Sequence, residues 1–252
     1  MKTKLIAVLL AVCLLCGCSL ATDTEALLRA PQLSGESRAL QKALNSYLNS
    51  AVTLKYPNSG DFLSPFAFGD WDGDGQDEAA VLYAADSTGT NVWLAVLEAE
   101  TDGGWRVSQT VEGLSGEVEV FSAAHLRDSV SQQLIAGYTS AQGDSYLVVY
   151  RYADGQLTTV ISQSYTHMIL ADFTGKGNTQ DLVLALPAES DFGGVALQLL
   201  TNVDGEFRSA QTLNLGEGVY TGCAALQAGR GIDEHTYLVM DAYSDSGSLV
   251  SD

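Results

Sequence analysis

The chain has 252 residues, 46% hydrophobic and 17% charged, with 25 Gly against 4 Pro. That apolar content supports a packed body and excludes a disordered, collagen-like or coiled-coil chain. With 31 acidic against 12 basic residues and a formal charge of −19, no nucleic acid is expected as a partner, because phosphate binding needs clustered Lys and Arg; cations and metal ions suit this composition better.

The chain opens on Met1, Lys2, Thr3 and Lys4, followed by an unbroken apolar stretch from Leu5 to Leu15 and then Cys16, Gly17 and Cys18. Eleven apolar residues are too few to cross a hydrocarbon core of ~30 Å, and the lysines in front match the charged start of a secretory signal. Leu15-Cys16-Gly17-Cys18 resembles the bacterial lipobox, which implies a signal peptide over residues 1–17 and a diacylglyceryl-modified Cys18 as the first mature residue. Acylation there holds the protein at a membrane surface, at the extracytoplasmic face of the cell membrane, without a span. Cleavage removes two of the 12 basic residues and no acidic one, so the mature chain is more acidic still. Cys13 and Cys16 fall inside the discarded stretch, so their C-x-x-C spacing is not a redox motif, and Cys223 is left as a small, buried, unpaired thiol.

Residues 18–34 read as a polar tether, and 35–61 as a helix with its connector. From Glu36 to Asn49, Leu40, Leu44, Tyr47 and Leu48 recur at helical spacing, with Arg38 and Lys42 on the solvated side. That stripe is expected to pack on the body behind it.

From residue 62 the text changes to short apolar runs between Gly, Asp, Ser and Asn: Ala79 to Ala84, Val92 to Leu97, Tyr146 to Tyr150, Leu182 to Leu186 and Tyr237 to Met240. These are strand length. They also recur. Asp102-Gly103, Asp154-Gly155 and Asp204-Gly205 are spaced by 52 and 50 residues, and each is expected to close a hairpin in which both central residues take positive φ. A second marker, Gly-x-Gly, stands at 73–75, 175–177 and 229–231, each ahead of an apolar run. The expected fold is all-β: a propeller-like array of four-stranded repeats of about 50 residues, preceded by one short α-helix. The repeat domain covers 62–252, in units near 62–115, 116–163, 164–217 and an incomplete 218–252. That is about three and a half blades, which predicts an open arc or a piece of a longer chain. A β-sandwich with accidental periodicity is the competing fold.

Asp70-Trp71-Asp72-Gly73-Asp74-Gly75-Gln76-Asp77-Glu78 places carboxylates at positions 1, 3, 5 and 9 around a glycine at 6, a spacing that converges oxygens on one hard cation. Position 12 is Val81 and the flanks are strands, so this is no helix-loop-helix calcium hand. The stretch Phe66 to Tyr83 resembles the FG-GAP/VCBS repeat family, propeller blades with a D-x-D-x-D-G-x-x-[DE] calcium loop between two strands. The resemblance implies Asp70, Asp72, Asp74 and Glu78 as side-chain ligands of one structural calcium, Gln76 as a backbone carbonyl ligand, and Asp77 pointing away. Asp172 to Asn178 departs from the pattern, with Lys176 where the ion would sit, expected to neutralise Asp172 instead. The fourth unit offers only Leu226, Ala228 and Arg230 at the corresponding places, so a single site is expected.

His125, His167 and His235 lie in no nucleophile or zinc motif, and no phosphate-cradling loop is present. The reading is a non-enzymatic, lipid-anchored envelope protein whose calcium-stabilised scaffold binds a protein or glycan. The alternative is an accessory region of a cell-wall hydrolase or lyase with its catalytic part beyond residue 252. A third option is a small-ligand sensor that stacks its ligand on Trp71, Trp93 and Tyr138, although core packing accounts for these rings more simply.

Overall fold

The structure is a computed structural model that describes residues 34–85, 91–186, 194–215, 220–244 and 249–251. The signal peptide, Cys18 and nearly all of the tether lie outside the described residues. Residues 35–252 form one compact unit that is all-β apart from one helix.

The helix α1 runs Gly35–Leu48. Asn49 stops it by taking a left-handed φ of 54°, which Asn tolerates better than most residues. The Asn45 side chain then accepts the Val52 N–H at 3.0 Å. Leu40 and Leu44 are fully buried, and the helix lies on strand β5. Tyr47 does not join them: it is 54% exposed and flanks a groove between the helix and Trp105. The buried stripe is therefore narrower than the sequence suggests, because a helix laid across one strand needs only its central leucines in contact.

Four antiparallel sheets follow in chain order as an open propeller-like array. The first holds β1 (Thr53–Leu54), β2 (Phe66–Gly69), β3 (Glu78–Ala84), β4 (Asn91–Ala99) and β5 (Trp105–Ser115), with β1 and β2 both pairing along β3. The second is β6 (Glu117–Ala124), β7 (Gln133–Thr139), β8 (Ser145–Ala153) and β9 (Gln156–Ser164), and the third β10 (His167–Ala171), β11 (Asp181–Leu186), β12 (Val195–Val203) and β13 (Glu206–Leu215). The fourth is β14 (Tyr220–Arg230), β15 (Thr236–Ser244) and β16 (Leu249–Ser251).

The cores lie between consecutive sheets, and the period of two along each inner strand explains why its sequence is apolar without a break. In β7, Leu134, Ala136 and Tyr138 enter the core shared with the first sheet, while Ile135 enters the core shared with the third. In β11, Leu182 and Leu184 face the second sheet, and Val183 and Ala185 face the fourth. A strand buried on both sides must be apolar at every position. Trp71 and Tyr138 are fully buried in the first of these cores and Trp93 is half-buried, so these rings offer packing rather than an open stacking platform.

The turns refine the repeat. Asp154 and Gly155 (φ 53° and 70°) and Asp204 and Gly205 (φ 56° and 84°) close two-residue hairpins with both central residues left-handed. Asp102-Gly103 does not. There only Gly103 is left-handed, at 84°, and bonds from Gly103 N to Glu100 O (2.9 Å) and Glu100 N to Gly104 O (2.8 Å) define a three-residue loop. The additional Gly104 lengthens the connection, and a type I turn finished by a left-handed glycine is the usual solution for that length. The Gly-x-Gly of the fourth sheet is also different in kind: Gly229 and Arg230 belong to β14, and the turn that follows uses Glu234 at φ 66°. The first sheet passes to the second through one residue, Gly116, at φ 115°. A Cβ there would lie 1.8 Å from the Thr139 carbonyl oxygen, so only glycine fits.

Candidate metal centre

Strand β2 ends at Gly69 and β3 begins at Glu78, so the acidic segment forms the intervening loop of a hairpin whose strands are fixed by the core. Gly73 and Gly75 take φ of 83° and 88°, which turns successive backbone N–H groups inward. Asp70 collects them. Its Oδ1 accepts from Gly73 (2.6 Å) and Asp74 (3.1 Å), and its Oδ2 from Gly75 (2.9 Å). Asp72 Oδ1 accepts from the Asp74 N–H at 3.1 Å. Asp74 turns to Gln76, accepting its backbone N–H at 2.8 Å and its side-chain amide at 3.3 Å.

Glu78, only 4% exposed, accepts the Trp71 N–H at 2.9 Å through Oε2. One oxygen from each of Asp70, Asp72 and Glu78 lies within 4.8 Å of the others, the one such carboxylate group among the described residues. Oxygens that share a calcium at 2.3–2.6 Å cannot be more than about 5 Å apart, so this spacing suits one cation. Free lone pairs remain on Asp70 Oδ2, Asp72 Oδ2 and Glu78 Oε1 after the bonds above are counted. Asp74 and Gln76 stand outside this triad, although both line the same recess of about 220 Å³. So does Asp77, which sequence reasoning turned away.

The recess has another carboxylate that the loop pattern does not announce, Glu98 on β4. It accepts hydrogen bonds from the Tyr152 and Ser108 hydroxyls and pairs with Arg106. The Tyr152 bond holds its carboxyl below the ordinary range; burial works against this, and Ser108 and Arg106 reinforce it. Glu98 is thus a fixed negative charge. Burial pushes the Glu78 carboxyl up to about 7, against the Trp71 bond and with the help of charges on Asp72, Asp74 and Asp70. Asp72 is raised too, first by burial and then by Asp74, Asp70 and Glu98. Burial first and the neighbouring carboxylates second thus raise Glu78 and Asp72, the condition that a divalent cation relieves.

The same position recurs in the next two sheets with other chemistry. Gln133, the first residue of β7 and 1% exposed, accepts the Leu126 and Arg127 N–H groups at 3.0 Å each. Asp181, the first residue of β11 and fully buried, accepts the Phe173 and Thr174 N–H groups at 2.8 and 2.7 Å and the Thr174 and Thr201 hydroxyls. Trp71, Leu126 and Phe173 each stand two residues past the end of the preceding strand. In all three sheets, then, a buried acceptor at the head of the second strand ties down the loop leaving the first. Sequence reasoning missed Gln133 and Asp181, although each is the last polar residue before an apolar run.

Asp172 holds its loop as Asp70 does, accepting from the Lys176 and Gly177 N–H groups at 2.9 and 2.7 Å. The Lys176 ammonium does not neutralise it. It bonds instead to the Asn202 carbonyl, because the β12–β13 hairpin stands within reach of its flexible stem. The three histidines are dispersed, with His125 in the β6–β7 loop, His167 heading β10 and His235 in the β14–β15 turn. Cys223 is half-buried on β14, where its thiol donates to the Ala225 carbonyl at 3.5 Å and burial raises its pKa.

The chain matches no protein-family model and no curated protein sequence. Among solved structures it is similar to the exotype rhamnogalacturonan lyase YesX, at 14% identity and a TM-score of 0.46 over 79% of this chain and 40% of that one. It is also similar to the rhamnogalacturonan lyase YesW, at 16% identity and a TM-score of 0.35 over 74% and 46%, and to the mannose phosphorylase MPT-4 of Leishmania mexicana, at 12% and 0.30 over 86% and 77%. The chain spans less than half the length of the two lyases.

Proposed function

We propose that this chain is a non-enzymatic, lipid-anchored protein of the cell envelope, in which a calcium-stabilised array of sheets presents its loops to a protein or glycan. The observation that carries the reading is the convergence of Asp70, Asp72 and Glu78 within 4.8 Å in a loop between two strands. Calcium fits this donor set because it is all oxygen and anionic. Asp70, Asp72 and Glu78 are its side-chain ligands, with Asp74 and the Gln76 carbonyl completing the shell from the same loop. The ion's contribution is structural: it compensates the crowded carboxylates and pins the β2–β3 turn against β4. The resemblance of Phe66 to Tyr83 to FG-GAP/VCBS blades supports the same assignment. The lipobox-like segment supports an acyl anchor at Cys18 and the extracytoplasmic face of the membrane.

Calorimetric titration with calcium tests the site. A dissociation constant on the order of 0.1–1 mM is expected, as for extracellular modules, with the heats lost in Asp72→Asn. Unchanged heats in the variant would remove the assignment. For the anchor, the full-length protein expressed in a bacterium is expected to enter the detergent phase on Triton X-114 partitioning, and Cys18→Ala the aqueous phase. Equal partitioning of the two would exclude it.

A further inference from the structure

The second and third sheets meet at a recess of about 660 Å³ that lies apart from the acidic loop, formed by the β6–β7 and β10–β11 loops and the β12–β13 hairpin. It holds Arg127 and Lys176, a cationic pair in a chain with few cations. Each is fixed by one bond to a carbonyl: Arg127 Nε to Gly205 at 2.8 Å, and the Lys176 ammonium to Asn202. The Asn202 amide donates back to the Arg127 carbonyl, tying the two loops together. Carbonyls hold these groups in place, and of the two only Arg127 is partly offset, by the charge of Asp128 in the same recess. Among the described residues neither cation has a carboxylate within 4 Å, unlike Arg106 and Arg230. The guanidinium keeps its two Nη groups and the ammonium keeps two of its three protons for a ligand.

Asn178 and the carboxylates of Asp128 and Asp204 complete the polar lining.

We infer that this recess binds an acidic sugar, its carboxylate held between Arg127 and Lys176 and its hydroxyls by Asn178 and the two aspartates. The aspartates select within the anions. They accept from sugar hydroxyls, whereas a phosphate dianion would be repelled by both. The acidity of the remaining surface does not oppose this, because charges beyond about 8 Å are screened at physiological ionic strength. The inference rests on the glycan reading above and specifies it, but it uses neither the calcium loop nor the ion.

The test is amide-resolved NMR titration of the mature chain in EGTA, so that no calcium bridges protein and ligand, with three probes: trigalacturonate, the neutral galactose trimer and inorganic phosphate. Trigalacturonate should shift the amides of Asn178, Thr179, Asn202 and Gly205. The neutral trimer, Arg127→Gln and Lys176→Gln should each weaken binding about tenfold, the scale of one charge-assisted hydrogen bond. Asp72→Asn should bind trigalacturonate like the wild type while losing calcium, which separates the two assignments. Equal binding of the neutral trimer, tighter binding of phosphate, or no shifts with trigalacturonate would overturn the inference and leave the calcium reading intact.

Discussion

Replacing Glu78 by Gln separates the two roles that the structure gives this side chain. As an acceptor it holds the Trp71 N–H, which an amide oxygen does equally well in Gln133 of the next sheet. As a buried anion it opposes folding. Its carboxyl stands at about 7 against an ordinary 4.5, and at about 1.4 kcal/mol per tenfold the difference amounts to roughly 3 kcal/mol. The sign follows from protonation: below 4.5 the group is neutral in both states and nothing is lost; stability falls as pH rises through 4.5–7; above 7 the full penalty applies. In EGTA at pH 8, Glu78→Gln should therefore melt higher than wild type, by about 6–12 °C at 2–4 °C per kcal/mol, and the gap should close towards pH 4.5. Comparing the two proteins at each pH cancels the histidines common to both. With calcium at ten times its dissociation constant the order narrows, because the wild type gains roughly 1.4 kcal/mol and the variant, lacking one anionic ligand, gains less. Thermal unfolding followed by circular dichroism across pH 4.5–8 reads all of this. A variant that melts below wild type in EGTA at pH 8, or a gap that ignores pH, would refute the reasoning.

Three further outcomes concern the scaffold. Asp181→Ala strips the acceptor from two backbone N–H groups and two hydroxyls and should cost about 3 kcal/mol or more in denaturant unfolding; Asp181→Asn, which retains one acceptor oxygen, should lose less. Leu44→Ala should destabilise by about 2–5 kcal/mol while leaving the heat of calcium binding unchanged, since it empties a fully buried site under the helix, away from the loop. Gly116→Ala meets both a left-handed φ and the Thr139 carbonyl, and should cost more than about 2 kcal/mol; near-native stability would show that the link between the sheets can shift.

Much of this architecture is legible in the sequence, because the cause of each strand is local. Doubly buried strands such as β3 and β11 must be continuous apolar runs, and the Asp-Gly hairpins at 154 and 204 carry their conformation in two residues. Two misreadings share a physical origin. Glycine serves a turn at 73 and 75 but an extended strand at 229, and one added residue changes the hairpin type at Asp102-Gly103; neither difference can be seen without the partner strand. The site divides in the same way. Asp70, Asp72 and Glu78 converge through a loop whose spacing is written in the chain, whereas Glu98 arrives from β4 by strand register and was invisible. Proximity in sequence pairs Lys176 with Asp172, but the destination of a long flexible side chain is set by whichever tertiary acceptor stands near its tip.

The order of pairing bears on how the protein is made. Each sheet draws its strands from one contiguous stretch, so a growing polypeptide can complete β6 to β9 before β10 is synthesised. Loop closure over a few tens of residues carries a modest entropic cost, and short sequence separation between partners speeds folding. Vectorial assembly of this kind also shortens the time for which unpaired edges stand open to neighbouring chains, the chief hazard for an all-β protein emerging from a ribosome or a translocon.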